Sequence, residues 1–187
     1  MKVKIEELFD KQLNMISDPE LRAGIVDIWA AAAEEGGWEP EDLQKIPFTL
    51  LTETHGINLV QHTIAVTEGA LGLAGAIEEN CDTPYSIDRD LLITGGLLHD
   101  VGKLLEMERT PGGEYVKSLH GKHARHPISG AILAARFGMP MPVINMIGCH
   151  AKEGEGRPQR VETVLIHQAD FATFNPMVML QKGLLIT

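Results

Sequence analysis

The chain has 187 residues, 44% of them apolar, which is enough for one sizeable core of ordinary globular composition and excludes disorder as the default. Its formal net charge of −10 argues against a protein that wraps long nucleic acid, because such binding leaves a basic footprint; a small anionic substrate remains compatible if cations gather locally. Cys81 and Cys149 stand far apart with no CxxC, and no run approaches the roughly 18 apolar residues of a membrane span, so the expectations are no disulfide framework, no membrane partner and a reducing, cytoplasmic setting.

Helical periodicity dominates. Ile5, Leu8, Phe9, Leu13 and Ile16 recur at three- and four-residue spacings and predict a helix over 4–16. Asp18-Pro19-Glu20 reads as an N-cap followed by proline at the first helical position, with the helix running through Trp29 and the alanines to a stop at Gly36-Gly37. A short helix is expected at 40–45 before Pro47, then a long one from about Ile57 to Glu79. Ser86 or Asp88 is placed to cap a helix carrying Leu91 to Leu98. Residues 106–122 read as a polar loop, with Tyr115-Val116 as a small hairpin at most. Further helices are expected at 127–137, 141–150 and 160–174, punctuated by Pro140, Pro142 and Pro158. There is no internal repeat. The fold class is all-α, a single helical bundle over 56–187 preceded by a helical extension at 1–55, for which a cap, a homodimer contact and a lid all stay open.

Histidine is the unusual investment, eight of them against 5% aromatics. In GLLHDVGKLLE, His99 and Asp100 close a greasy helical run. Burying an ionisable pair there is costly unless the charges are paired or coordinate a metal. His62 in NLVQHTIAV, His126 in RHPISGAIL, His150 in MIGCH and Asp170 in VLIHQADFA likewise lie beside or within apolar helical sequence. One such histidine alone reads as a satisfied core residue. Six inward residues from successive helices read as the way a bundle core builds a metal site. Four imidazoles and two carboxylates suit Fe, Mn, Co, Ni or Zn, with Mg less suited to so nitrogen-rich a set. Two divalent ions sharing Asp100 would use all six residues and leave room for a bridging hydroxide that attacks a phosphoryl group. Gly102 would let the backbone turn so that Lys103 faces the site.

The order His62, His99-Asp100, Asp170 resembles the H…HD…D signature of the HD-domain superfamily of metal-dependent hydrolases, and HDVGK is similar to that superfamily's HDIG(K) form. The resemblance covers roughly residues 55–175, and His126 in HPISG with His150 resembles the six-ligand dinuclear branch. It implies an all-α HD domain with metal ligands His62, His99, Asp100, His126, His150 and Asp170. It implies phosphohydrolase activity on a small phosphoester or phosphoanhydride such as a nucleotide or dinucleotide. The same branch contains di-iron oxygenases that cleave C–H or C–P bonds, and a non-catalytic nucleotide-sensing module is a further alternative. CHAKEGEGRP departs from the HHExxDGxGYP element of cyclic-dinucleotide enzymes, with Cys149 for a histidine and Arg157 for the tyrosine. The spacing from His150 to HQADFATFNP is closer to the small dinucleoside-tetraphosphate hydrolases.

Around this core, Lys103, Lys122, Arg125 and Arg157 are candidates for a local basic mouth that grips phosphate oxygens. Asp100, Lys103 and His123 are the candidates for the chemistry, His123 as proton donor to the leaving group. His167 is a candidate support for a neighbouring ligand.

Overall fold

A computed structural model describes residues 1–186. Asp18 caps α2 (Pro19–Gly36), its carboxylate accepting from the amides of Glu20 and Leu21, and Gly37 ends that helix in the left-handed conformation at φ 74°. Before it, α1 (Lys2–Leu13) stops short of Ile16, which is buried beyond the helix end. Residues 40–45 form successive turns rather than the expected helix. The segment is too short to nucleate on its own, Asp42 accepts a bond from the Glu39 amide, and Pro47 biases Ile46 away from helical backbone.

An Asn58/Gln61 capping box opens α3 (Leu59–Asn80). Asp88 caps α4 (Arg89–Leu98), which passes through a tight turn into the short α5 (Lys103–Glu106). The expected polar loop holds the hairpin β1 (Met107–Arg109) and β2 (Tyr115–Lys117), paired antiparallel with Glu108 opposite Val116, and then α6 (Leu119–His123). Next come α7 (His126–Arg136), α8 (Met141–Cys149), a 3-10 turn at Lys152–Gly154 and α9 (Val161–Gln181). The last helix runs well past 174 and through Pro176. Its packing against α3 along the bundle outweighs the one backbone bond that proline removes.

The bundle core is formed by α3, α4, α8 and α9, with α7 against α8. The N-terminal segment shares that core: Ile25, Ile28 and Trp29 of α2 and Trp38 just after it belong to the same buried cluster as Leu97, Leu98 and Leu104. Two indoles reach the backbone on either side of the His99-Asp100 turn. Trp29 Nε1 donates to the Leu97 carbonyl at 2.8 Å and Trp38 Nε1 to the Leu104 carbonyl at 2.7 Å. These carbonyls lie where a helix ending leaves acceptors without intrahelical partners. No helix among the described residues is long and apolar enough to cross a membrane.

Candidate metal centre

The backbone between α4 and α5 tightens from i→i−4 to i→i−3 bonds: Val101 N to Leu98 O, Lys103 N to Asp100 O and Leu104 N to Val101 O. At three residues per turn, positions i and i+3 eclipse, which sets Lys103 directly over Asp100. Gly102 sits in this turn with ordinary right-handed backbone, φ −63°, so the turn that brings Lys103 to the site does not need glycine's conformational freedom. The glycine is there for closeness. A Cβ at 102 would lie 2.1 Å from the His126 carbonyl oxygen and 2.7 Å from the Gly130 nitrogen; glycine lets the start of α7 press against the turn.

The six residues expected to converge do converge. His62 comes from the first turns of α3, His99 and Asp100 from the end of α4, His126 from the start of α7, His150 from the end of α8 and Asp170 from α9. His62, His99, Asp100, His126 and His150 are buried, and Asp170 is nearly so. They form two clusters that share one residue: His62, His99, Asp100 and Asp170, and Asp100, His126 and His150. Asp100 serves each cluster with a different oxygen. Its Oδ2 lies 3.1 Å from His62 Nε2 and 3.3 Å from His99 Nε2; its Oδ1 lies 3.2 Å from His126 Nε2 and 3.7 Å from His150 Nε2.

Hydrogen bonds at the outer nitrogens settle which imidazole nitrogen carries the proton. His99 Nδ1 meets the Gly96 carbonyl at 2.7 Å, His150 Nδ1 the Ile147 carbonyl at 2.8 Å and His126 Nδ1 the Glu106 carboxylate at 2.8 Å. Carbonyls and carboxylates only accept, so each Nδ1 donates. Thr173 Oγ1 donates to the Asp170 carbonyl and therefore accepts from His62 Nδ1 at 3.1 Å. All four Nε2 atoms are thus turned to the centre, three of them (His62, His99 and His150), with Asp100 Oδ1, buried without a hydrogen-bond partner. Each such orphan costs about 1–3 kcal/mol, and lone pairs gathered at shared points are what a divalent cation satisfies. The donor set fits metal.

Charge follows the same plan. Burial opposes ionisation of Asp100, but Lys103 and the surrounding imidazoles hold it well below the usual carboxylate range. Burial likewise works against charge on Asp170, where the His62 contact lowers it instead. Burial drives His126 down to about 4 against the pull of Asp100 and Glu106, so it is neutral and ready to bind a cation near neutral pH. His62 is opposite. Burial disfavours its charged form, yet the facing carboxylates of Asp100 and Asp170 outweigh that and raise it, so a proton competes with a cation for its Nε2.

Beside the clusters opens a cavity of about 450 Å³, with Asp170 and His126 in its lining. Lys103 reaches it, its ammonium donating to Asp100 Oδ2 at 2.5 Å and to the Phe48 carbonyl at 2.6 Å. Arg125 also lines it, paired with Glu153 at 2.6 Å. Lys122, His123 and Arg157 do not: all three are exposed and outside the lining. α6 ends at His123 with Lys122 and His123 in solvent, and Arg157 lies on the exposed segment before α9. Lys117 and Lys152 stand in the lining instead. His167 meets the expectation of a support, its Nδ1 donating to the His150 carbonyl at 2.6 Å.

Sequence reading missed Glu106, Thr173 and Phe48. Glu106 anchors His126 by both Nδ1 and the backbone amide and is itself lowered to about 2 despite burial, through the His126 bond. Its signal is the three-residue step from Lys103 in KLLE, and Thr173 repeats that step from Asp170. Phe48 stacks on the His62 ring at 4.6 Å and 21° and has no local signal at all.

Comparisons with known proteins bear on this geometry. The profile of the HD domain matches residues 59–171. Ribonuclease Y of Thermotoga petrophila is 30% identical over 167 residues, covering 89% of this chain and 28% of that protein. Ribonuclease Y of Thermoanaerobacter pseudethanolicus is 30% identical over 171 residues, with the same coverage of 89% and 28%. The dihydroneopterin 2′,3′-cyclic phosphate phosphodiesterase of Methanocaldococcus jannaschii is 28% identical over 172 residues, 91% of this chain and 64% of that protein. The chain therefore spans less than a third of the ribonuclease Y proteins. No solved structure matches it significantly.

Proposed function

The chain belongs to the HD-domain family, and from that membership we propose that it is a metal-dependent phosphohydrolase that binds two divalent ions and acts on a small phosphoester or phosphoanhydride. The observation that carries the reading is the shared carboxylate. Asp100 offers one oxygen to His62 and His99 and the other to His126 and His150. His62, His99 and Asp170 would hold one ion, His126 and His150 the other, with Asp100 between them. Held by these residues, divalent ions would supply Lewis acidity, activating water and drawing charge off the phosphoryl oxygens.

The chain's own groups complete the chemistry. The Nδ1–H bonds of the four histidines fix each ring so that the ligand nitrogens cannot turn away. Lys103, held by the Phe48 carbonyl and Asp100, would give its remaining N–H to a phosphoryl oxygen once a cation takes over Asp100. Arg125, Lys117 and Lys152 provide local positive charge on a chain of net −10, enough to attract a small anion through the field at the mouth. The names of the relatives support phosphodiester cleavage, a cyclic phosphodiester in one case and RNA in the other. The cavity volume is of the size that holds one small molecule, which favours the former class.

The test is a screen of purified protein loaded with Mn, Fe, Ni or Mg against phosphomonoesters, 2′,3′-cyclic nucleotides, dinucleoside polyphosphates and short oligoribonucleotides, with and without oxygen. Hydrolysis of at least one small phosphoester at equal rate under nitrogen is expected. Turnover that requires oxygen, or none on any substrate with metal bound, would overturn the proposal.

A further inference from the structure

We propose that the cavity seats a flat aromatic ring of the substrate against Phe171 and Phe174, so that the alcohol esterified to phosphorus carries a planar heteroaromatic ring, as a nucleoside does, and is not a bare polyol or a polyphosphate. This deepens the phosphohydrolase reading and rests on it.

The cavity has two kinds of wall, and they come from different elements. Phe171 and Phe174 follow the ligand Asp170 on α9; Asp170 and Phe174 stand four apart, hence on one helix face. Both rings are half-buried and turned to the cavity. Their positions are fixed from several sides. They meet each other edge to face at 6.4 Å and 78°, Phe174 meets the buried Phe48 at 6.5 Å and 84°, and Phe171 packs on the His167 ring at 4.5 Å. His167 is in turn tied to the His150 carbonyl and Phe48 to the His62 ring. The platform is thereby linked to the histidines of both clusters. Leu51, 77% exposed, extends the apolar rim.

The cationic wall belongs to the other cluster. Arg125 immediately precedes His126, Lys152 lies two residues past His150, and Lys117 Nζ is 3.4 Å from Glu106, the partner of His126. A phosphoryl group between the clusters therefore has positive charge on the His126–His150 side and aromatic faces on the Asp170 side. Its anionic oxygens belong with the first and its ester substituent with the second. Two half-exposed phenylalanines left facing water are a cost that a polyol or inorganic polyphosphate would not remove; a planar ring would, and stacking of one base on an aromatic side chain is worth a factor of roughly ten in affinity.

The experiment uses three phosphonates that cannot be hydrolysed, titrated calorimetrically into the metal-loaded full chain: methylphosphonate, (cyclohexylmethyl)phosphonate and (1-naphthylmethyl)phosphonate. Methylphosphonate reports the phosphoryl site alone. The naphthyl compound is expected to bind roughly tenfold tighter than methylphosphonate and tighter than the cyclohexyl compound. Phe171→Leu and Phe174→Leu, with metal content unchanged, should each erase most of that gain without altering methylphosphonate binding. A naphthyl gain no larger than the cyclohexyl gain, or one that survives in both variants, would overturn the aromatic subsite while leaving the phosphohydrolase reading in place. Failure of all three to bind would remove both.

Discussion

Asp100 is asked to be buried and charged at once, and the surrounding residues make that tolerable. An isolated carboxylate in such a place would protonate, whereas Lys103 and the imidazoles of His99, His126 and His150 keep it ionised. The residues that were legible in the sequence are the ones whose chemistry contradicts their setting, namely ionisable groups within greasy helical runs. Among the supports, His167 was legible and Glu106, Thr173 and Phe48 were not. Glu106 looks like any acidic residue at the end of a short helix, and only the fold brings it under His126. Its role has a direct consequence. Glu106→Gln keeps an acceptor oxygen for His126 Nδ1–H but loses the charge that makes the imidazole a stronger donor to metal. Metal affinity of the His126–His150 cluster should fall by about 10–100-fold, with far-UV circular dichroism unchanged. Competition with a metal-sensitive chelating dye checks it, and an affinity equal to wild type would show that the carboxylate is incidental.

At the scale of elements, helix caps and periodicity carried most of the fold. Asp18 and Asp88 start helices as capping residues do, and Tyr115-Val116 lies in one strand of the small hairpin. The failures have local physical causes: a turn segment at 40–45 too short to hold a helix, and a last helix whose packing carries it through Pro176. The turn between α4 and α5 is the element that matters most, because three site residues, His99, Asp100 and Lys103, depend on its tight winding. Two tryptophans hold it. Trp38→Phe retains an aromatic ring but leaves the buried Leu104 carbonyl without its donor, a loss of about 1–3 kcal/mol. In a chain of this size that lowers the melting temperature by a few degrees per kcal/mol. Differential scanning calorimetry checks the magnitude, and an unchanged melting temperature would mean that the indole N–H contributes nothing.

Seen as a whole molecule, the first fifty residues are part of the scaffold around the candidate metal centre. Their helices contribute Ile25, Ile28 and Trp29 to the one hydrophobic cluster, and the segment leading from them to α3 supplies Phe48 under His62. Composition could not show this, since an amphipathic helix reads the same whether it docks on its own domain or on another protein. Lys122 and Arg157 were plausible phosphate contacts by proximity in sequence, yet they lie outside the cavity lining, which holds Lys117 and Lys152 instead. What the molecule as a whole achieves is convergence, six side chains from five helices or their ends around one shared carboxylate. Elemental analysis of the wild-type protein and of Asp100→Ala, each dialysed against excess Mn or Fe and then against buffer, tests this most directly. The wild type should retain about two ions per chain, as expected of a shared-carboxylate pair, and Asp100→Ala should retain neither while its helices persist. Two ions retained by Asp100→Ala, or none by the wild type, would contradict it.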